Sequence, residues 1–102
     1  MPKFKFELPA PIDSATAFSK IKKLLNGDND FKKFDPKVNC TFDESAKKCV
    51  VNGSQFNATL QVEATDSKSS QIAIEVDLPF ALSLFKGKIK DALEKNLKKI
   101  LS

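Results

Sequence analysis

Histidine, arginine, tryptophan and tyrosine are all missing from this chain. Without histidine the commonest general base is gone, and with it the Ser-His and Cys-His nucleophile pairs. The usual zinc and transition-metal ligand sets cannot be assembled either, because Cys40 and Cys49 are the only cysteines. Most familiar hydrolytic and transfer mechanisms are thereby excluded. The sequence predicts a non-enzymatic protein with no catalytic residue, no metal and no cofactor. All seventeen basic residues are lysine, so the side chain suited to reading guanine edges or gripping phosphate bidentately is absent. A net charge of +4 carried by lysine alone suits diffuse attraction to polyanions or acidic partners, or simple solubility.

Long apolar runs are missing as well. No stretch approaches the length of a membrane span. The opening residues, Met1-Pro2-Lys3-Phe4-Lys5-Phe6-Glu7, alternate charge with Phe and lack the apolar core of a signal peptide. The expected location is the cytoplasm, where Cys40 and Cys49 are read as two buried, reduced thiols.

What is present describes a globular domain. The 102 residues are the size of one domain spanning 1–102, with 41% hydrophobic and 29% charged residues. Nine Phe supply every aromatic ring, and without a polar handle most should fill the core.

Alternation of Phe4, Phe6 and Leu8 with Lys3, Lys5 and Glu7 predicts a half-buried strand, ended by Pro9 and Pro11. Asp13 or Ser14 then caps a helix with the apolar stripe Ala15, Phe18, Ile21 and Leu24-Leu25, closed by Asn26-Gly27. After an irregular loop from Asp28 to Lys37, Val38, Cys40 and Phe42 alternate. A turn over 43–47 returns the chain along Lys48 to Asn52, in a register that sets Cys40 opposite Cys49 and Val38 opposite Val51. Phe56, Ala58, Leu60, Val62 and Ala64 mark the clearest strand. Ile72, Ala73, Ile74, Val76 and Leu78 mark the last. Short turns between successive strands imply an antiparallel meander.

From about Pro79 to Leu101 the pattern is helical, with the stripe Leu82, Phe85, Ile89, Leu93, Leu97 and Ile100-Leu101. Lys88, Asp91, Lys95 and Lys98 hold the opposite face, and Asp91–Lys95 and Glu94–Lys98 are spaced as i,i+4 pairs. Gly87 marks either a late helix start or a close backbone approach. The fold class is therefore α+β, ordered β-α-β-β-β-β-α, with two helices covering one face of an antiparallel sheet.

The stretch from Ile72 to Ile89, with Leu78-Pro79-Phe80-Ala81-Leu82-Ser83-Leu84-Phe85 leading into Phe85-Lys86-Gly87 and a lysine-rich helix, resembles the polyhydroxyalkanoic acid system (granule-region) proteins. These are short bacterial chains. The likeness is best over residues 55 to 101, while the first half agrees in layout. It implies a reduced helix-grip-like fold, in which a C-terminal helix closes over a curved sheet. It supplies no catalytic residues.

Each candidate site has two readings. The apolar run from Leu78 to Phe85 is too continuous for one face of a short amphipathic helix. Either it is a buried strand-to-helix corner, or part of it stays exposed and adsorbs to a storage-polymer granule, a membrane surface or a partner. The candidate surface or ligand-binding residues are Phe80, Leu84, Phe85, Lys86 and Lys88. The lysines of the C-terminal helix suit an anionic surface or a plain solvated face. Phe31, Lys32, Lys33 and Phe34 interleave rings with charge, yet without Arg or Tyr they make a poor nucleic-acid site and are better read as pinning their loop. The leading expectation is a non-enzymatic accessory or binding protein of polyhydroxyalkanoate granules. The alternatives are a small carrier holding an apolar ligand between sheet and C-terminal helix, or a protein interaction module using a sheet edge. Oligomeric state is left open.

Overall fold

The computed structural model of the protein describes residues 3–27, 37–54 and 56–101, with the side chain of Leu82 excepted. The loop expectations for Phe31, Lys32, Lys33 and Phe34, and Leu82's place in the stripe, lie outside the described residues.

The elements are β1 (Lys3–Ala10), α1 (Ser14–Asn26), β2 (Asn39–Asp43), β3 (Lys48–Asn52), β4 (Asn57–Ala64), β5 (Ser70–Asp77), a 3₁₀ segment (Phe80–Phe85) and α2 (Lys86–Leu101). The strands form a five-stranded antiparallel sheet in the order β1-β5-β4-β3-β2. The expected element order and the antiparallel meander are both found.

Register aligns the apolar side chains into rows that cross the whole sheet. Phe4, Val76, Ala58, Val51 and Cys40 form one row, and Phe6, Ile74, Leu60, Cys49 and Phe42 the next. Leu8, Ile72 and Val62 form a third. Because side chains alternate along a strand, the intervening rows are polar. One of them runs Lys5, Glu75, Thr59, Val50 and Thr41 across the opposite face. Both helices lie on the apolar face: α1 packs against β2, β4 and β5, α2 packs against β1, and the helices touch each other. Ala17, Phe18, Ile21 and Leu25 of α1 join Leu93, Leu97 and Leu101 of α2 in one core with the strands.

Several details differ from the sequence reading. Pro9 does not end β1, which continues to Ala10 opposite Ser70. β1 is an edge strand, so the missing N–H of proline leaves no neighbour without a partner. In α1 the buried small residue is Ala17 and not Ala15, and Ala64 at the end of β4 is exposed. The β2–β3 register is shifted by two residues, placing Cys40 opposite Val51 and Phe42 opposite Cys49. A two-residue shift keeps every side chain on its face, so hydrophobic pattern alone cannot detect it. The turn decides. Asp43 Oδ1 accepts hydrogen bonds from Ser45 Oγ (2.8 Å) and Ala46 N (3.2 Å), and Lys47 takes a left-handed φ of 52°, which closes a tight loop between paired Asp43 and Lys48.

The first helix starts as expected. Asp13 is its N-cap: Oδ2 accepts from Thr16 N at 3.1 Å and Oδ1 from Thr16 Oγ1 at 2.7 Å. These bonds hold the Asp13 carboxyl below its usual pKa. At the same end of the sheet, Asp66 caps the β4–β5 hairpin by accepting from Lys68 N and Ser69 N. Buried Ser70 donates to Ile12 O at 2.8 Å, tying the start of β5 to the entry of α1.

Candidate functional site

The candidate surface sits where β5 gives way to α2. Leu78 is buried under the sheet's apolar face, and Pro79 adopts extended backbone (φ −66°, ψ 157°) that turns the chain out of the strand. The next residues do not start an α-helix. Phe80–Phe85 winds as 3₁₀, with Ser83 Oγ donating to Phe80 O at 2.8 Å. Lys86 N donates to Ser83 O, and α2 begins at that lysine. Of the two readings open for Gly87, the late start is the one observed: a Cβ there would meet nothing within 4 Å.

Of the two readings open for the apolar run, burial holds, among its described side chains, for Leu78. Phe80 is 83% exposed, Leu84 92% and Phe85 42%, and these are the large hydrophobic side chains exposed among the described residues. The physical cause lies in the winding. A 3₁₀ turn repeats every three residues, so FALSLF cannot gather all its large side chains onto one inward stripe as an α-helix would. Phe85 is half-exposed at the junction, and the buried stripe takes over with Leu93, Leu97 and Leu101.

Lysines follow at once. Lys86 and Lys88 are both exposed. Lys86 Nζ lies over the Phe4 ring, 5.4 Å from its centroid, and Lys90 Nζ lies over Phe6 at 5.7 Å. The two rings stack on each other along β1, with centroids 6.0 Å apart. Lys90 also pairs with Glu94 at 3.7 Å, so Glu94 reaches back along the helix to Lys90 and not forward to Lys98. The docking of these lysines on β1 was not legible in sequence, since it depends on β1 pairing with β5. A faint signal was the phenylalanine alternation at the chain's start.

The other candidates resolve as structure. Cys49 is fully buried, and burial, with the neighbouring Cys40 thiol adding to it, pushes its pKa up to about 12. A thiol held neutral in this way is a poor nucleophile. Cys40 is only half-buried, contrary to the expectation of two buried thiols, because β2 is the outer strand. Its Sγ contacts Leu25 O at 3.8 Å. Glu63, Glu75 and Asp77 lie on the polar rows of the sheet, and Glu75 bridges Lys3 (3.6 Å) and Lys5 (3.7 Å). No group of His, Cys, Asp or Glu among the described residues is arranged to hold a metal ion. No described helix is long and apolar enough to cross a membrane.

With the strand-to-helix junction and the two-helix cover defined, the chain can be set beside known proteins. The family model for polyhydroxyalkanoic acid system proteins, the granule-region family, matches residues 15–101. The chain belongs to that family. The match reaches back over α1, β2 and β3, well beyond the second half in which the sequence motif is plainest. None of the curated proteins matches in sequence.

Solved structures show what fold this member of the polyhydroxyalkanoic acid system family has. A START superfamily protein from Mycobacterium smegmatis superposes with a TM-score of 0.65 at 8% identity, covering 97% of this chain and 96% of that one. The protein XoxI from Bacillus cereus gives 0.62 at 15% identity, covering 100% and 97%. The di-domain ARO/CYC BexL, from the BE-7585A biosynthetic pathway, gives 0.74 at 8% identity and covers 99% of this chain. This chain spans only 45% of BexL. At such identities the likeness establishes the START-like, helix-grip fold and nothing about chemistry.

Proposed function

We propose that the protein is a non-enzymatic accessory of polyhydroxyalkanoate storage that attaches to the granule surface through Phe80, Leu84 and Phe85, with Lys86 and Lys88 beside them. The supporting observation is the exposure of Phe80 and Leu84, 83% and 92%, on a segment that the fold turns away from its own core. Single exposed apolar residues are ordinary. A Phe and a Leu presented within one 3₁₀ segment, with a half-exposed Phe closing it, form a patch that water disfavours and an apolar surface accepts. Membership of the polyhydroxyalkanoic acid system family supports a storage granule as that surface.

Co-sedimentation with isolated granules tests the reading. The wild-type chain is expected to pellet with granules. The F80S/L84S variant is expected to stay in the supernatant while melting at the wild-type temperature, since neither side chain belongs to the core. Equal pelleting of the two proteins would sink the assignment of the surface. No pelleting of either above an inert control would sink the granule role itself.

The helix-grip fold favours a second reading, a carrier with an apolar ligand between the sheet and α2. A rise in melting temperature with fatty or hydroxyacyl compounds, undiminished in F80S/L84S, would select it over the surface role.

A further inference from the structure

We infer that the surface this patch recognises is anionic: Phe80, Leu84 and Phe85 insert among negatively charged lipid headgroups while Lys86 and Lys88 pair with them. The inference rests on the granule-surface reading and specifies what coats that surface.

Three observations point the same way. From Leu78 to Lys90 the chain has no acidic residue, while Lys86, Lys88 and Lys90 follow the exposed apolar side chains directly. Lys86 and Lys88 are exposed, and among the described residues neither has a carboxylate within ion-pair distance, whereas Lys90 pairs with Glu94 and the β1 lysines share Glu75. Their charge is therefore available. Of the acids that bracket this stretch, Asp77 keeps Oδ1 buried, and Asp91 lies one turn further along the exposed side of α2.

Other occupants fit less well. Against an uncharged polymer, seating Phe80 and Leu84 brings Lys86 and Lys88 out of water with no counter-charge, which is costly. A second copy of the chain would set like lysines against each other around a two-fold axis. A folded protein partner needs roughly 800 Å² per side for a stable contact, and a patch of three side chains is far smaller. An anionic lipid interface asks for neither large area nor shape. It takes apolar side chains at its acyl boundary and lysine ammonium groups at its headgroups.

The absence of tryptophan and tyrosine makes the test clean, because an F80W variant carries the chain's sole fluorophore of that kind. The probes are vesicles of neutral phosphatidylcholine, vesicles containing anionic phosphatidylglycerol, and bare polyhydroxybutyrate particles. F80W is expected to shift its emission to the blue with anionic vesicles and not with neutral ones. That shift should shrink as ionic strength rises, because the Debye length falls to about 3 Å at 1 M salt. In the F80W background, K86Q/K88Q is expected to lower partition onto anionic vesicles by roughly ten- to a hundred-fold, with only the small drop in melting temperature that loss of the Lys86–Phe4 contact brings. Equal partition onto neutral and anionic vesicles overturns the inference. So does salt-independent binding to the bare polymer without vesicle binding, an outcome that leaves the granule reading standing. Binding to none of the three probes removes both.

Discussion

At the scale of the residue, charge and polarity matter mainly where a side chain fixes backbone. Asp13, Asp43 and Asp66 each fix a helix start or a turn, and each carboxyl is held below its usual pKa, chiefly by the Thr16 hydroxyl at Asp13, the Ser45 hydroxyl at Asp43 and the Lys68 N–H at Asp66, with further backbone N–H groups adding to it. Lys22 and Glu44 meet at 2.6 Å, where the β2–β3 turn reaches α1, and this contact lowers the Glu44 pKa. Cys49 works in the opposite sense. Its thiol is buried against Leu60 and Phe42, its neighbours in register, and its pKa rises from 9.0 to about 12. The unfolded chain releases that proton first, so stability attributable to Cys49 is complete below pH 9 and is lost between 9 and 12. A C49A variant should show a shallower loss of stability than the wild type across that window in denaturant titrations. A parallel pair of curves would mean that the thiol does not hold its proton. In thiol labelling of the native protein, half-buried Cys40 is expected to react well before Cys49.

Among the elements, α2 and the 3₁₀ segment before it show how one run of sequence divides into two jobs. The α-helical stripe of Leu93, Leu97 and Leu101 is committed to the core, and the preceding turn is not. Gly87, one residue into α2, has open space where a Cβ would stand and needs no special backbone angle. G87A should therefore stabilise the protein by roughly 0.5–1 kcal/mol through reduced freedom of the unfolded chain. A destabilised G87A in urea titrations would show that the junction depends on glycine. The strands are equally divided. β4 and β5 are central and carry the alternation on which the core depends, whereas β1 and β2 are edges that tolerate Pro9 and leave Cys40 half-covered.

For the whole molecule, stability and the proposed surface are separable. The core joins both helices to the sheet, and Leu60 lies at its centre, fully buried between Cys49 and Ile74. L60A should cost roughly 2–5 kcal/mol by the loss of buried methyl groups and the cavity left behind. It should leave granule pelleting intact wherever the protein is still folded. The exposed side chains of the 3₁₀ segment are expected to behave the other way round. Should L60A and F80S/L84S fail in the same assay, stability and attachment would not be separable and the assignment of the patch would fall.

The sequence by itself determined the element order, the inward face of every strand and the absence of histidine-based chemistry. Those follow from period-two and helical spacing and from composition, which are properties of neighbouring residues. It also marked Leu78 to Phe85 as a run too apolar for its place. Three features were decided only by tertiary structure: the two-residue shift between β2 and β3, the extension of β1 past Pro9, and the exposure of Phe80 and Leu84. A shift of two preserves every face, so only the hydrogen bonds of Asp43 in the closed turn distinguish the registers. Proline's tolerance depends on whether another strand lies alongside. Exposure of a hydrophobic run depends on how it winds and on whether the core beside it is already full, and neither is a property of the run alone.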